Sequence, residues 1–270
     1  MTKFLGVIGD PIDHSLSPLI HNGWIRDMGF NANYHALHVP VGEFSSALKT
    51  LENQDCLGVN VTLPHKAKAL EEAHESTDTA QAIGAANTLS YLGQSNWRAD
   101  NTDAPGFLDA LGTIDQEADH VLILGAGGSA RAIAYALSVD GQKVTILNRT
   151  VEKARQLASA CGGNNSAYGS IENASAYFES ATIVINTTSM GYGGEIFDLP
   201  KGKDRIFFDI SYGKTSARQI DHASTQGWRT RDGLNMLVAQ AAFSFEIWFG
   251  EMPDREAGLR RCRAALEALS

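Results

Sequence analysis

Cysteine is scarce in this sequence. The 270 residues contain only Cys56, Cys161 and Cys262, an odd number at wide spacing with no paired-cysteine motif. Disulfide-stabilised domains and structural zinc sites need paired or clustered cysteines. The sequence therefore predicts buried or incidental thiols in a reducing compartment, and no metal site.

Positive charge is also in short supply. There are 22 Lys and Arg residues against 31 Asp and Glu residues, which gives a formal net charge of -9. Nucleic acids and anionic membranes attract basic surfaces and repel an acidic one. We therefore expect neither of them as a partner, and any anionic ligand must be bound by local donors.

Long hydrophobic runs are missing as well. The first ten residues are too soon interrupted for a secretory signal peptide. The most apolar stretch, 237–249, contains Gln240, Ser244 and Glu246 and is too short to span a membrane. We expect a cytoplasmic protein, and at roughly 150 residues per domain its length predicts two domains.

Residues 58–66 combine several polar groups that could hold a small hydroxylated molecule. Residues 58–63 are predicted to form a strand, whose side chains alternate between two faces. The core-facing set is Val59, Val61 and Leu63. Asn60 and Thr62 face the other way, and Pro64 favours a helix start that leaves Lys66 at the junction. The alternative is an ordinary strand end followed by a surface lysine.

Two serines precede the first predicted helix. Ser17 followed by Pro18 is typical of a helix start with a capping serine. Free backbone N–H groups at a helix N-terminus favour anions, so Ser15 and Ser17 together predict a site for a small anion. Simple capping would explain Ser17 but would leave Ser15 without a role.

Apolar runs and helical stripes alternate along the chain, which indicates an α/β protein with mainly parallel sheets. The predicted strands are residues 4–8, 34–39, 58–63, 87–92, 96–100, 121–124, 144–147, 182–186, 205–210 and 228–231. The predicted helices are residues 17–28, 43–51, 65–74, 78–84, 104–111, 130–139, 235–249 and 254–269. Gln240 and Ser244 are four residues apart and therefore share a helix face.

Asp103 follows Asn101 and Thr102 and stands where the helix 104–111 begins. A carboxylate at this place is either a structural cap, worth about 0.5–2 kcal/mol, or part of a site with Lys66. The local sequence leaves both possibilities open.

A dinucleotide fingerprint follows the buried strand 121–124. The turn has the form Gly-x-Gly-x-x-Ala between a strand and a helix, which is the context this motif requires. Its residues are Gly125, Ala126, Gly127, Gly128, Ser129 and Ala130. Gly125 permits the tight turn, Gly127 allows backbone to approach a pyrophosphate, and Ala130 allows close helix packing.

The next strand ends in residues that indicate which dinucleotide is bound. NAD enzymes usually carry Asp or Glu about 20 residues after the first glycine, but Asn148 stands there, followed by Arg149, Thr150 and Lys153. These cations would attract the 2′-phosphate of NADP. A solvated basic helix start is the alternative, but cations are disfavoured at a helix N-terminus. We therefore expect NADP rather than NAD.

A third loop follows the strand 182–186 at the carboxyl edge of the same predicted sheet, where α/β proteins bind ligands. Its residues are Thr187, Thr188, Ser189 and Met190.

Taken together, these motifs resemble the shikimate/quinate dehydrogenase family over essentially the whole chain. The matching segments are residues 6–11, 14–18, 58–66, 101–103, 125–130, 148–150 and 232–242. The resemblance implies an N-terminal α/β substrate domain, 1–103, completed by the C-terminal helices 235–270. It implies a Rossmann-like, doubly wound NADP-binding domain at 104–234. The implied activity is reduction of 3-dehydroshikimate to shikimate with NADPH, in the pathway to aromatic amino acids. We expect a monomer or weak homodimer, although the sequence does not determine the oligomeric state.

The resemblance also assigns roles to individual residues. Lys66 is similar to the catalytic lysine of the family and Asp103 to its partner. The implied substrate-binding residues are Ser15, Ser17, Asn60, Thr62, Lys66, Asn87, Asp103, Tyr212 and Gln240. Arg149, Thr150 and Lys153 match the 2′-phosphate clamp, and the nicotinamide is implied to lie near Ile210, Gly233 and Met236. The segment 213–216 departs from the family because it lacks the proline often found there, which leaves the placing of Tyr212 open.

The implied chemistry turns a ring ketone into an alkoxide, which a neighbouring ammonium group stabilises and protonates. We therefore expect Lys66 to be the general acid. Two alternatives remain: an enzyme that acts mainly on quinate, and a non-catalytic NADP-dependent regulatory module. The roles of His14 and His21 stay open, and His65 is expected to be a solvent-facing helix residue.

Overall fold

The structure is a computed structural model that describes residues 1–112, 120–161 and 166–268. Its strands are β1 Lys3–Gly9, β2 Ala32–His38, β3 Cys56–Val61, β4 Glu75–Ser76, β5 Thr88–Gly93, β6 Asn96–Asp100, β7 Val121–Leu124, β8 Val144–Asn148, β9 Ser166–Ser170, β10 Ile183–Asn186, β11 Ile206–Asp209 and β12 Arg229–Arg231. Its α-helices are α1 Ser17–Asp27, α2 Phe44–Leu51, α3 Lys66–Glu72, α4 Asp78–Ile83, α5 Asp103–Leu111, α6 Gly128–Val139, α7 Val151–Ala160, α8 Ala174–Phe178, α9 Lys214–Thr225, α10 Leu234–Phe249 and α11 Arg255–Ala268.

The described residues fall into two compact units. The first unit contains residues 1–106 and the chain from Leu237 onward, and the second contains the described residues from Phe107 to Met236. None of the helices in the described ranges combines the length and hydropathy needed to cross a bilayer.

The first unit contains a mixed sheet with the strand order β2-β1-β3-β5-β6-β4. β1 pairs in parallel with β2 and β3, and β4 pairs in parallel with β6. β5 pairs antiparallel with both β3 and β6. Val59 and Val61 of β3 are fully buried in the core beside this sheet, as the alternation of side chains predicts.

The second unit contains a parallel sheet with the strand order β12-β11-β10-β7-β8-β9. Numbered within the unit, this is the 3-2-1-4-5-6 order of a doubly wound dinucleotide fold. The strand order reverses between β7 and β10, which are neighbours in parallel. The four residues of β7 are all buried, as expected for a strand covered on both faces. The α/β class and the Rossmann-like sheet are confirmed.

Several predicted boundaries are wrong in detail. β3 ends at Val61, and Leu63, expected in the core, is 55% exposed. The prediction omitted the strands β4 and β9 and the helices α8 and α9. β9 has the sequence SAYGS and an exposed or half-buried pattern, so it lacks the apolar alternation that signals a strand. The last predicted helix is observed as α11, and Leu269 lies outside the described residues.

His21 on α1 lies in the aromatic core of the first unit. It is 1% exposed, and its ring stacks on Tyr34 with a centroid distance of 4.2 Å and an interplanar angle of 2°. Trp24 and Trp248 each lie 5.6 Å away, centroid to centroid. Within the described residues, neither ring nitrogen has a hydrogen-bond partner. Burial lowers the pKa of His21 from its ordinary value of 6.5 to about 3, and the nearby Asn60 side chain opposes this only in part.

His21 should make the fold sensitive to acid. Between pH 6.5 and about 3 the unfolded chain binds a proton at His21 that the folded chain does not bind. The free energy of unfolding should therefore fall as the pH falls through this window, by up to about 1.4 kcal/mol per pH unit. Above pH 6.5 this contribution is complete. Urea unfolding of wild type and His21→Phe across this window measures it, because the variant lacks the titrating group.

The control is His14→Gln, which replaces an exposed histidine and should keep the wild-type dependence on pH. Equal slopes for wild type and His21→Phe would contradict the assignment.

Candidate active site

A buried ion pair joins the first residues of two helices. Lys66 begins α3 and Asp103 begins α5. The Nζ atom of Lys66 lies 2.6 Å from Oδ2 of Asp103, and the two side chains are 11% and 7% exposed. An isolated charge at such depth is costly, so each charge depends on the other. An ammonium group held in this way can stabilise negative charge that develops on a bound molecule.

The second oxygen of Asp103 is also engaged. Oδ1 of Asp103 accepts a hydrogen bond of 2.9 Å from Nδ2 of Asn87. The backbone N–H of Asp103 donates to Oδ1 of Asn101 at 3.1 Å. Both carboxylate oxygens therefore contact side chains of other elements, which a local helix cap would not require. For Asp103, these contacts favour a place in a site with Lys66 over a purely structural helix cap.

Gln240 completes this group from the C-terminal part of the chain. Its Oε1 accepts from Nδ2 of Asn87 at 3.1 Å, and its Nε2 donates to the carbonyl of Leu237 at 2.8 Å. Gly106 allows α10 to approach, because a Cβ at Gly106 would lie 2.8 Å from the backbone nitrogen of Gln240. Lys66, Asp103, Asn87 and Gln240 are thus connected through direct hydrogen bonds.

Asn60 is buried next to this group and is not exposed to solvent. Its side chain is 5% exposed. Its Oδ1 accepts from the hydroxyl of Tyr34 at 2.7 Å. Its Nδ2 donates to the carbonyl of Asn87 at 3.1 Å and to Oγ of Ser244 at 2.9 Å. Protein groups therefore already bind the amide expected to bind a ligand hydroxyl.

The two serines occupy the start of α1, but not as predicted. The capping position is Leu16, and Ser17 is the first helical residue, so the prediction that Ser17 caps the helix is wrong. Oγ of Ser15 accepts from the backbone N–H of Ser17 at 3.3 Å. Burial raises the pKa of the Tyr34 hydroxyl well above its ordinary value, and a hydrogen bond with Ser17 opposes this effect. A neutral tyrosine beside the buried Ser17 suits an anion site because it adds no negative charge.

Thr62 follows β3 directly and is half-buried. Its backbone N–H donates to the carbonyl of Ile8 at 2.8 Å. The prediction for the neighbouring His65 is wrong. His65 is 4% exposed, and its Nε2 lies 2.7 Å from the carbonyl oxygen of Val39, so it fastens the start of α3 to the chain after β2.

In the second unit, the glycine turn and the loop after β10 meet where the strand order reverses. Gly125 has a φ of 111°, which an L side chain rarely adopts. A Cβ there would lie 2.3 Å from Oγ1 of Thr187. The Thr187 hydroxyl donates to the carbonyl of Leu124 at 2.7 Å. At Gly127, which caps α6, an added Cβ would meet nothing within 4 Å. Free N–H groups and open space at this turn suit a pyrophosphate.

The basic residues after β8 face solvent. Arg149, Thr150 and Lys153 are exposed, and Nδ2 of Asn148 donates to the carbonyl of Thr150 at 3.0 Å. In the part of the chain that the structure describes, no carboxylate lies within ion-pair distance of Arg149 or Lys153. Two cations without an acidic partner suit a dinucleotide that carries an additional phosphate.

Two buried polar residues organise the loops at the carboxyl ends of β10 and β11. Nδ2 of Asn186 donates to Oδ2 of Asp209 at 2.8 Å. Asn186 also accepts from the Thr188 hydroxyl at 2.7 Å, and Asp209 from the Ser211 hydroxyl at 2.5 Å. Burial raises the pKa of Asp209, and its hydrogen bonds with Ser211 and Asn186 oppose this. These hydrogen bonds therefore hold in place the start of the loop that contains Ser189 and Met190.

The remaining predicted site residues are Ile210 and Tyr212, which follow β11, and Gly233 and Met236 around the start of α10. A Cβ at Gly233 would lie 1.9 Å from the carbonyl oxygen of Ile210, so only glycine fits there. Met236 is 6% exposed near the start of α10. Tyr212 is half-buried, and its carbonyl accepts from the Thr215 hydroxyl at 2.8 Å. This bond fixes the segment in which the family's proline is missing.

Sequence reasoning missed several of the residues that hold the site. Among them are Tyr34, Thr88, Thr102, Asn186 and Ser244, whose polar side chains are at least half-buried and hydrogen-bonded. Ser244 was noted only for sharing a face with Gln240, and its hydroxyl does donate to the Gln240 carbonyl at 3.0 Å. Its strand partners are distant in sequence and give no local signal.

Comparison with known proteins gives matches along most of the chain. Residues 7–89 match the family model of the shikimate dehydrogenase substrate binding domain. Residues 110–223 match shikimate / quinate 5-dehydrogenase, and residues 233–263 match the shikimate 5′-dehydrogenase C-terminal domain.

Full-length relatives and solved structures agree with these matches. A shikimate dehydrogenase (NADP(+)) of Hyphomonas neptunium is 46% identical, with 100% of both chains covered. The crystal structure of the shikimate dehydrogenase of Aquifex aeolicus superposes with a TM-score of 0.87 at 34% identity, covering 97% of this chain and 98% of that one. Shikimate 5-dehydrogenase of Thermus thermophilus, in complex with NADP(H) and shikimate, gives 0.85 at 33% identity, covering 98% and 100%. The chain belongs to the shikimate dehydrogenase family.

Proposed function

We propose that this protein catalyses the reversible NADPH-dependent reduction of 3-dehydroshikimate to shikimate. The observation that supports the proposal most directly is the buried pair of Lys66 and Asp103, connected to Asn87 and Gln240 by hydrogen bonds. The choice of substrate and cofactor is supported by relatives that are named shikimate dehydrogenase (NADP(+)).

In this proposal the first unit binds the substrate. Ser15 and Ser17, at the N-terminus of α1, bind the ring carboxylate through their hydroxyls and the free N–H groups of the helix. Thr62 and Gln240 bind ring hydroxyls, and Asn87, whose amide is bound to Asp103, Gln240 and Thr102, contributes to substrate binding mainly by orienting Asp103. Asn60 acts mainly by orienting its neighbours, because its own polar atoms are bound within the protein. The unit thus fixes the ring in one orientation, which lowers the entropic cost of reaction.

Lys66 is the general acid in this mechanism. Reduction places a negative charge on the former carbonyl oxygen, and the Lys66 ammonium stabilises that charge and donates the proton. Asp103 holds Nζ of Lys66 in place and accepts a bond from a substrate hydroxyl. Because the pair is buried, its electrostatic effect is larger than it would be in water.

The second unit fits NADPH, which supplies the hydride when it is bound. The turn 125–130 would hold the pyrophosphate, chiefly through the free N–H groups at the start of α6, because the N–H of Gly125 already donates to the carbonyl of Leu147 at 2.7 Å. Arg149, Thr150 and Lys153 would bind the 2′-phosphate. Asn148 in place of an acidic residue removes the repulsion that a carboxylate would exert on that phosphate. The loop 187–190, Ile210, Gly233 and Met236 would line the nicotinamide side, and Tyr212 is proposed as a substrate-binding residue. We propose the domain boundaries 1–103 with 235–270 for substrate and 104–234 for cofactor.

The buried, unpaired state of all three cysteines supports the proposal that the enzyme acts in the reducing cytoplasm. We propose that it does so as a monomer or a weak homodimer.

The decisive experiment is NADPH oxidation by the purified protein with 3-dehydroshikimate. We expect turnover at a rate typical of enzymes, roughly 1–10³ s⁻¹. Shikimate and quinate oxidation are compared under the same conditions, because quinate carries an additional hydroxyl on a saturated ring. Faster oxidation of quinate would favour the quinate enzyme, and NADPH binding without turnover of either substrate would favour a regulatory module.

Lys66→Ala should lower kcat by roughly 10²–10⁴-fold, with little change in the KM for substrate, since the lysine acts mainly on charge that appears during the reaction. Steady-state kinetics measure this, and circular dichroism confirms that the variant folds. The matched control is Lys68→Ala on the same helix, which removes an exposed lysine paired with Glu72. An unchanged kcat in Lys66→Ala would remove Lys66 from the mechanism.

Replacing Arg149 and Lys153 together by Ala should raise the KM for NADPH far more than the KM for NADH, because only NADPH carries the 2′-phosphate. Initial rates with each dinucleotide give the ratio. Arg155→Ala is the control, since Arg155 lies on α7 like Lys153 but pairs with Glu152. Equal effects on the two dinucleotides would refute the phosphate clamp.

A further inference from the structure

Ser244 on α10 connects three segments of the first unit that are far apart in sequence. It is fully buried. Its Oγ lies 2.8 Å from the hydroxyl of Thr88 on β5 and 3.0 Å from the hydroxyl of Thr102. Thr88, Thr102 and Ser244 are named here the hydroxyl cluster. Nδ2 of Asn60 on β3 also donates to Ser244, at 2.9 Å.

The hydroxyl of Ser244 has four polar neighbours. It lies 3.0 Å from the carbonyl of Gln240, to which it can donate, and its oxygen accepts from Nδ2 of Asn60. Its bonds with the hydroxyls of Thr88 and Thr102 can run in either direction, because each hydroxyl can donate one proton and also accept. Removing the Ser244 hydroxyl would take a hydrogen-bond partner from three buried side chains, each of which would have to reorient or lose a bond.

The hydroxyl cluster also contacts the amide of Asn87. Oδ1 of Asn87 accepts from the backbone N–H of Thr102 at 2.8 Å. It also lies 3.1 Å from the Thr88 hydroxyl and 3.2 Å from the Thr102 hydroxyl. A backbone N–H can only donate, so this end of the amide is oxygen, and the other end presents its N–H to Asp103.

We propose that Ser244 is a positioning residue for catalysis. Through Thr88 and Thr102 it holds Asn87 in the orientation that donates to Asp103, and Asp103 in turn holds Lys66. This role rests on the proposed function. Ser244 is fully buried, so in this proposal it does not touch the substrate, and we expect its influence on the reaction to pass mainly through Asn87, which donates to Asp103. Small displacements of groups around a reacting centre lower rates markedly.

Ser244→Ala is the first test, with 3-dehydroshikimate and NADPH as the probes. We expect kcat to fall roughly 5- to 50-fold, with the KM for substrate within about threefold of wild type. Leu48→Ala is the matched control, because it opens a cavity in the core of the same unit away from the hydroxyl cluster. It should lower the Tm and leave kcat near the wild-type value.

A double-mutant cycle separates positioning from general loosening. If Ser244 acts through Asn87, then Ser244→Ala added to Asn87→Ala should lower kcat no further than about twofold. If the fall in kcat of the double variant equals the product of the falls in the two single variants, the proposal is overturned. A wild-type kcat in Ser244→Ala would also overturn it.

Thr88→Val gives an independent measurement if Ser244→Ala does not fold. Valine keeps the branched shape on β5 and removes only the hydroxyl, and the same fall in kcat is expected. A Thr88→Val enzyme with undiminished kcat would refute the role of the hydroxyl cluster. Inactive wild-type protein would refute the proposed function itself, whereas active wild type with unaffected variants refutes only the positioning role.

Discussion

The salt bridge between Lys66 and Asp103 is the interaction on which the first unit's arrangement depends. Taking two charges out of water costs free energy that their attraction regains only with good geometry and further hydrogen bonds. The distance of 2.6 Å and the bond from Asn87 supply both. A buried pair of this kind is often no more stabilising than two apolar side chains. In the proposed function, its value to the protein lies in the chemistry of an ammonium group at a buried place.

Holding that pair requires elements from both ends of the chain. Lys66 follows β3, Asp103 follows β6, and Gln240 and Ser244 come from α10. The contacts of Ser244 with Asn60 and Thr102 join residues 184 and 142 positions apart. The first unit is consequently complete only when the C-terminal segment returns to it, which explains physically why its sequence is divided in two.

The sequence was most informative where function depends on contiguous residues. The turn 125–130 between a buried strand and a helix could be predicted because its conformation is a property of the local backbone. Gly125 illustrates this, since its φ of 111° needs the residue type that the motif names. The fold class followed from the alternation of apolar runs and helical stripes for the same reason. The role of the basic group after β8 stays a prediction.

Prediction failed where a long-range contact overrides the local pattern. His65 was expected to face solvent, but its ring binds the carbonyl of Val39 in the chain after β2. His21 gave no sign of burial, because the rings that surround it come mostly from β2 and α10. β9 carries no apolar alternation and pairs with β8. In each case the deciding partner lies far away in sequence, so a window of neighbouring residues does not contain the cause.

This difference between the two units follows from the chemistry that each performs. A pyrophosphate is recognised by backbone N–H groups and the start of a helix, which one short segment supplies. Placing a single amine against one atom of a small ring needs side chains that converge from several directions, and each must be fixed by a neighbour. Asn87 shows the consequence: its amide is oriented by Thr102 on one side and binds Asp103 and Gln240 on the other. The side chains that fix such a residue determine the site as much as those that touch the ligand, and they are the part of the site that motifs do not name.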